Sequence, residues 1–311
     1  MTGDFTEFSL IAELFAPLAT TPGAFGLKDD AALVAYRPHH DLVVTTDTVV
    51  AGVDFFPNDP PDLIAKKALR VNLSDLAAKG ATPASYLLNL SLPGDTDRKW
   101  LEAFARGLAE DQEHFGIGLL GGDTGRVPGP CSISITAFGH VAEGRMIRRT
   151  GARLGEHVFV TGNIGDSGGG LAVLKGEGAN ISAAQRDALV ARYRLPQPRL
   201  DLDLQGVASA ALDISDGLIA DMGHLAQASN VKLVIDAKKI PRSQALRALW
   251  GDGEQAILRA ATAGDDYEIG FTAAAAPEGC TLVGVVTEGS GVELVMDGKS
   301  LPVPNPGYRH F

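Results

Sequence analysis

The stretch PDLIAKKALRVNLSDLAAKG (residues 61–80) constrains the fold of this chain more than any other. Asp59 or Asn58 can cap its start, Pro60 or Pro61 suits a first helical turn, and Gly80 followed by Pro83 ends it. Within it Ile64, Ala68, Val71 and Asp75 recur at a 4-3-4 spacing and share one face. An apolar stripe of this kind has to be covered by another layer of structure. Its last member is a carboxylate. Asp75 therefore either reaches solvent or a backbone partner at the helix end, or holds a cation, because a bare buried charge is strongly unfavourable.

Strand patterns flank this helix. AALVAY (31–36), DLVVTT (41–46), SYLLNLSL (85–92), IGLLG (117–121) and SISITAFGHV (132–141) read as strands, FSLIAELF (8–15) and DRKWLEAFARGLAEDQEHFG (97–116) as helices. The second half opens with HVFVTG (157–162), a strand entering the glycine-rich GNIGDSGGG (162–170) and a helix at LAVLKG. A further helix is expected from about Asp216 to Ser229 with Ser215 as its cap. Strands follow at 232–236, 267–272, 281–286 and 292–296, the last continuing through Asp297-Gly298 as a hairpin. At 311 residues the chain has room for two cores. The expected domains are residues 1–148 and 149–311, an α/β half followed by an α+β half.

A net charge of −11 argues against nucleic acid or an anionic membrane as the main partner. Two cysteines, Cys131 and Cys280, point to a reducing cytoplasm and read as core filler. The first residues carry Asp4 and Glu7 without a basic leader, and no apolar run reaches membrane-spanning length.

The acids recur beside Thr, Ser or Gly at the expected ends of elements. Asp29 and Asp30 precede the first strand, and Thr45, Thr46, Asp47 and Asp54 surround the end of the second. Asp123 follows Gly121-Gly122, Asp213 and Asp216 flank Ser215, and Asp265 and Asp266 precede a strand. Each alone is satisfied by a turn or a helix cap. Together, hard oxygen ligands without convergent His or Cys suit magnesium. Magnesium uses few carboxylates per ion and completes its shell with water and phosphate, so several acids imply several ions and a phosphate-rich substrate set. The familiar phosphate machinery is missing. No GxxxxGK[ST] loop is present, since DGKS (297–300) has Glu293 where the first glycine belongs, and there is no protein-kinase catalytic loop. The glycine-rich 162–170 loop is weak evidence for a nucleotide, because such turns serve packing as often. His114, His224 and His310 have no Ser or Cys nucleophile beside them in sequence, so chemistry by positioned metals fits better than covalent catalysis.

The ordered set DDAAL, VVTTDTVVAGVDF, KKALRVNLSDLAAKGATP, GGDTGR, RRTGARLGEHVFVTGNIGDSGGGLA, ALDISDGLIADMGHLA, GDDYEIGFT and GYRHF resembles the thiamine-monophosphate kinase family of the aminoimidazole ribonucleotide synthetase-like superfamily. The resemblance implies ATP-dependent phosphorylation of thiamine monophosphate with several magnesium ions. It also implies a homodimer whose N-terminal mixed sheets join, with a C-terminal α+β domain behind. Carried over by motif, Asp30, Thr45, Thr46, Asp47, Asp75, Asp123 and Asp213 resemble magnesium ligands, and Asp216 a holder of a further ion. Gly122, Asp123, Arg149 and Ser215 match nucleotide contacts; Asp47, Asp75 and Asp123 stand at the centre of the expected chemistry. Asp54, Asp265 and Tyr308 match thiamine contacts, with Asp54 where the family often has His and Tyr308 where it often has Trp. The GGDTGRVPGPCS loop is about two residues longer than the usual one. Two other readings remain: another ATP-dependent synthetase of the superfamily, or a nucleotide-binding regulator without turnover. A selenophosphate synthetase would carry a reactive Cys near its start and a hydrogenase-maturation relative a C-terminal Cys; this sequence ends RHF.

Overall fold

The structure is a computed structural model that describes residues 7–275 and 277–308. The chain divides into two units, one of residues up to Leu76 with Ala81–Gly144, the other of Ala77–Gly80 with Arg145 onward.

The first unit begins with the short helix α1 (Glu7–Leu10), which widens into a π-helical turn at Ile11–Phe15. Its four strands are β1 (His40–Val50), β2 (Thr82–Pro93), β3 (Gly118–Val127) and β4 (Ser132–Ala142). They form a mixed sheet of order β1-β4-β2-β3, in which only β2 and β3 run parallel. Helices α2 (Pro61–Ala78) and α3 (Arg98–Phe115) join these strands. The expected stripe Ile64, Ala68, Val71 is buried. Pro61 opens α2, and Gly80, in the left-handed region, closes it as Ala81 N–H returns to Leu76. The Asp59 carboxylate accepts from Phe56 N–H at 2.9 Å and shapes the turn before the helix. Asp97 caps α3 through Trp100 N–H. Ile133, Ile135, Ala137, Leu88 and Leu90 fill one face of the sheet. The other face is open, with Leu42 45 % and Val44 53 % exposed.

Residues 31–36 are extended with alternating exposure but form no strand ladder among the described residues. Leu33 N–H donates to Gly23 O at 2.9 Å, a single bond that starts no ladder. By contrast, β1 and β3 run past their expected ends. Thr45–Asp47 and Gly122–Asp123 therefore sit inside ladders and not in turns.

The second unit has a seven-stranded sheet of order β11-β10-β7-β9-β5-β8-β6. Its strands are β5 (His157–Thr161), β6 (Ala210–Ile214), β7 (Lys232–Asp236), β8 (Glu268–Ala273), β9 (Cys280–Thr287), β10 (Gly291–Met296) and β11 (Lys299–Leu301). The hairpin at Asp297-Gly298 joins β10 to β11 as expected. Both sheet faces are buried along β6, β8 and most of β5. One packs Val158, Leu212 and Ile214 against Met222 and Leu225 of α6 (Leu218–Ser229); the other packs Phe159, Ile269 and Phe271 with Ile147. Helices α4 (Asp166–Leu174), α5 (Ala183–Arg194), α7 (Gln244–Trp250) and α8 (Glu254–Ala261) complete the unit. No helix among the described residues is long and apolar enough to cross a membrane.

Candidate active site

The β-strand period places Thr45 and Asp47 on the helix-covered face of β1, opposite Asp75 of α2. Thr45 Oγ1 donates to Asp75 Oδ2. Asp47 lies beside the same carboxylate, and burial, then the charge of Asp75, a hydrogen bond with it and the charge of Asp54 push its carboxyl up to about 6. Ionising Asp47 here is opposed by desolvation and by two like charges. A hard divalent cation would relieve both, so the donor set fits magnesium. Asp54 lies in the turn after β1, its Oδ2 accepting from Val50 N–H at 2.7 Å. Thr46 points to the opposite face, where its hydroxyl meets Ile135 O at 3.1 Å and Thr136 Oγ1 at 3.0 Å. It can serve this cluster only through its backbone.

A second group lies across the same sheet. Asp123 pairs in register with Asn89, Asn89 with Ser134, and Ser134 with Thr48, so all four share the open face. Asp47 is in the neighbouring row on the covered face. Strands β1 and β3 are opposite edges three spacings apart, about 14 Å. Asp47 and Asp123 of one chain therefore do not share an ion within this unit. Asp29, Asp30, Gly122, Asp123 and Thr124 instead line one cavity of about 640 Å³, whose other walls include Ile11, Phe15, Leu27 and Leu120. Gly122, at φ 154°, approaches the Leu88 carbonyl so closely that a Cβ would collide with it.

In the second unit, backbone bonds gather several expected residues. Asp265 N–H donates to Ser215 O at 2.7 Å and Tyr308 N–H to Asp216 O at 2.9 Å. Asp213 is buried on β6, next to this turn. Ser215 is not the cap of α6; Gly217 occupies that position. The Oδ2 of Asp221 accepts from Ser215, Asp216 and Gly217 N–H at 2.9–3.0 Å. Burial, against the pull of these bonds, raises the Asp221 carboxyl to about 7. Asp216, Asp221 and His224 bring one ligand atom each within 4.8 Å of one another. Sequence reasoning named only the first. The i, i+5, i+8 spacing around a helix start was the available signal. Arg149 is exposed, with its carbonyl bonded to Ser229 Oγ at the far end of α6. Twelve residues of helix put that end about 18 Å from Ser215.

The glycine-rich loop does not present a free anion cradle. Asp266, fully buried, accepts from Gly165 N–H at 2.6 Å and Ser167 N–H at 3.2 Å, so a carboxylate of the protein already occupies the start of α4. Side chains at Gly165, Gly168 and Gly169 would strike Ala260, Ala263 and Leu246. The loop serves packing.

Two domains, a four-stranded mixed sheet with an acid-lined edge and a seven-stranded sheet behind a helix-start acid cluster, define a class of protein. A family model described as AIR synthase related protein, N-terminal domain, matches residues 28–141, and its C-terminal counterpart matches residues 153–297. The chain is 41% identical to the thiamine-monophosphate kinase of Caulobacter vibrioides, over 98% of this chain and 91% of the relative. Among solved structures it is similar to thiamine-monophosphate kinase from Stenotrophomonas maltophilia K279a, at 40% identity and TM-score 0.79, over 88% of this chain and 91% of the other. It also resembles AaThiL complexed with AMPPCP and TMP, at 35% identity and TM-score 0.79, over 98% and 97% of the two chains. The chain belongs to the thiamine-monophosphate kinase family.

Proposed function

We propose that this protein transfers the γ-phosphoryl group of ATP directly to thiamine monophosphate, giving thiamine diphosphate and ADP, by in-line displacement with several magnesium ions. The observation that carries this reading is the Thr45–Asp75–Asp47 knot, set in a chain that matches the family over nearly its whole length. Asp30, Asp47, Asp75, Asp123, Asp213 and Asp216, with Thr45 and the Thr46 backbone, would hold the ions. Magnesium bound there screens the repulsion between two polyanionic substrates. The acceptor phosphate is ionised near neutral pH, so no strong base is required of the protein. What the residues supply is position and a fixed electrostatic field, without a phosphoenzyme. Gly122, Ser215 and Arg149 are assigned to the nucleotide. Asp54, Asp265 and Tyr308 are assigned to the thiamine moiety, where an acid and an aromatic ring suit a cationic thiazolium. On this reading residues 1–148 form the metal- and ATP-binding domain, residues 149–311 a C-terminal α+β domain, and the enzyme works in the cytoplasm.

A homodimer completes the proposal. The exposed Leu42 and Val44 form an apolar start to the open sheet face, and the open face also carries Asp123. Joining two sheets would cover that face and bring a second copy's residues over Asp123. The test is ADP release with ATP and thiamine monophosphate, with and without chelator. Turnover that needs both thiamine monophosphate and magnesium supports the reading. ADP release that needs a different acceptor overturns it.

A further inference from the structure

Lys67 lies in the middle of α2 and is only 2 % exposed. A buried ammonium is unfavourable unless oxygen atoms replace its water. Its Nζ donates to the main-chain carbonyl of Asp54 at 2.7 Å. That carbonyl belongs to the turn after β1, which has its own bonds: Asp54 N–H to Val50 O at 2.9 Å and Gly52 N–H to Phe55 O at 2.8 Å. Phe55 then buries its ring. The turn is thus closed locally and anchored by an aromatic side chain. A packing role at position 67 would be filled by methionine, which buries a similar volume without a charge to desolvate. What the ammonium adds is a directed, charge-assisted bond between this turn and α2, the same helix that carries Asp75 two turns further on.

We propose that Lys67 is a positioning residue for the acceptor substrate, holding the Asp54 turn at a fixed height on α2 so that the Asp54 carboxylate meets the thiazolium. The inference rests on the assignment of Asp54 to the thiamine moiety. The bond also places a positive charge beside a turn whose carboxylate is held by Val50 N–H and whose negative charge is felt at Asp47.

The test compares Lys67→Met, which keeps the volume but removes charge and donor, with Lys67→Gln, which keeps a donor. Initial rates are measured with thiamine monophosphate and ATP varied separately, and hydrogen exchange is followed over residues 50–59. Lys67→Met should raise KM for thiamine monophosphate about tenfold or more, as the loss of one charge-assisted hydrogen bond implies, and leave KM for ATP within about twofold. Exchange at 50–59 should quicken, and Lys67→Gln should recover part of both effects. A folded Lys67→Met with an unchanged KM for thiamine monophosphate overturns the proposal, as does an equal rise in both KM values. If Lys67→Met does not fold, Lys67→Gln is judged by the same split against wild type. If the wild-type protein does not phosphorylate thiamine monophosphate at all, the assigned function fails, and the exchange data still decide whether Lys67 braces the turn.

Discussion

Asp47→Asn should make the metal-free protein more stable at pH 8 while abolishing its turnover. The carboxyl of Asp47 is raised from 3.8 to about 6, chiefly by burial and then by Asp75 and Asp54. Below about pH 4 it is protonated in folded and unfolded chains alike, and it adds no penalty. Between about pH 4 and 6 the unfolded chain ionises this group while the folded protein keeps its proton, so stability falls across that window and the full penalty is present above about 6. A shift of about 2 units at about 1.4 kcal/mol each gives roughly 3 kcal/mol as a ceiling. Asparagine removes the charge and can still donate to Asp75. Allowing for its own burial, a gain of about 1–3 kcal/mol is expected, which for a chain of this size is about 2–5 °C in Tm. Thermal unfolding in chelator at pH 4 and pH 8 reads the effect: the gain should be full at pH 8 and small at pH 4. Excess magnesium should reverse the ranking, because only the wild-type cluster gains binding energy from the ion. Equal stability of the two proteins at pH 8 in chelator, or equal stabilisation of both by magnesium, would refute the argument.

Other perturbations probe the rest of the molecule. Glu268, 1 % exposed, accepts from Arg199 Nε at 2.6 Å, from Arg192 at 2.9 Å and from Thr161 Oγ1 at 2.6 Å; Glu268→Ala should cost about 3–5 kcal/mol, read by denaturant titration, because two guanidinium groups lose their partner. Gly168→Ala should cost about 1–3 kcal/mol by overpacking against Ala263, with kinetics of the folded fraction unchanged. Leu42→Asp with Val44→Asp should leave the first unit folded but shift the protein to monomer in sedimentation, with loss of turnover. Mixing Asp47→Asn and Asp123→Asn subunits should restore part of the turnover that neither has alone, if the acids of two copies meet.

Much of this was readable from residue order because the informative pattern was periodic. The buried stripe of α2 predicted its helix and marked Asp75 as a carboxylate in need of a partner, and period-two alternation in β1 separated Thr45 and Asp47 from Thr46 once a covered face was known. Local letters could not say which face was covered, nor that β1 and β3 lie at opposite edges, since strand order depends on pairing between distant segments. Residues 31–36 were misread for the same reason: alternation reports exposure, and the ladder needs a neighbour. Ser215 carried the composition of a helix cap, but Asp221 took the backbone donors from inside the helix. Lys67 gave no signal, because a lysine beside Lys66 on a helix reads as solvated surface until a tertiary acceptor is found. Strand β6 and helices α5, α7 and α8 were not anticipated: β6 is five residues long, and the helices are short segments stabilised by tertiary packing, as where Leu189, Leu246 and Ala260 meet in one cluster.

The seating of Asp266 at the start of α4 has a regulatory corollary. Where a glycine loop leaves its amides vacant, inorganic phosphate or sulfate competes with nucleotide and makes the fold sensitive to the cell's anion pool. Here the seat has a covalently tethered tenant whose local concentration no solute can match. This region should stay rigid and indifferent as metabolic phosphate rises and falls, leaving responsiveness to the proposed cation sites of the other sheet.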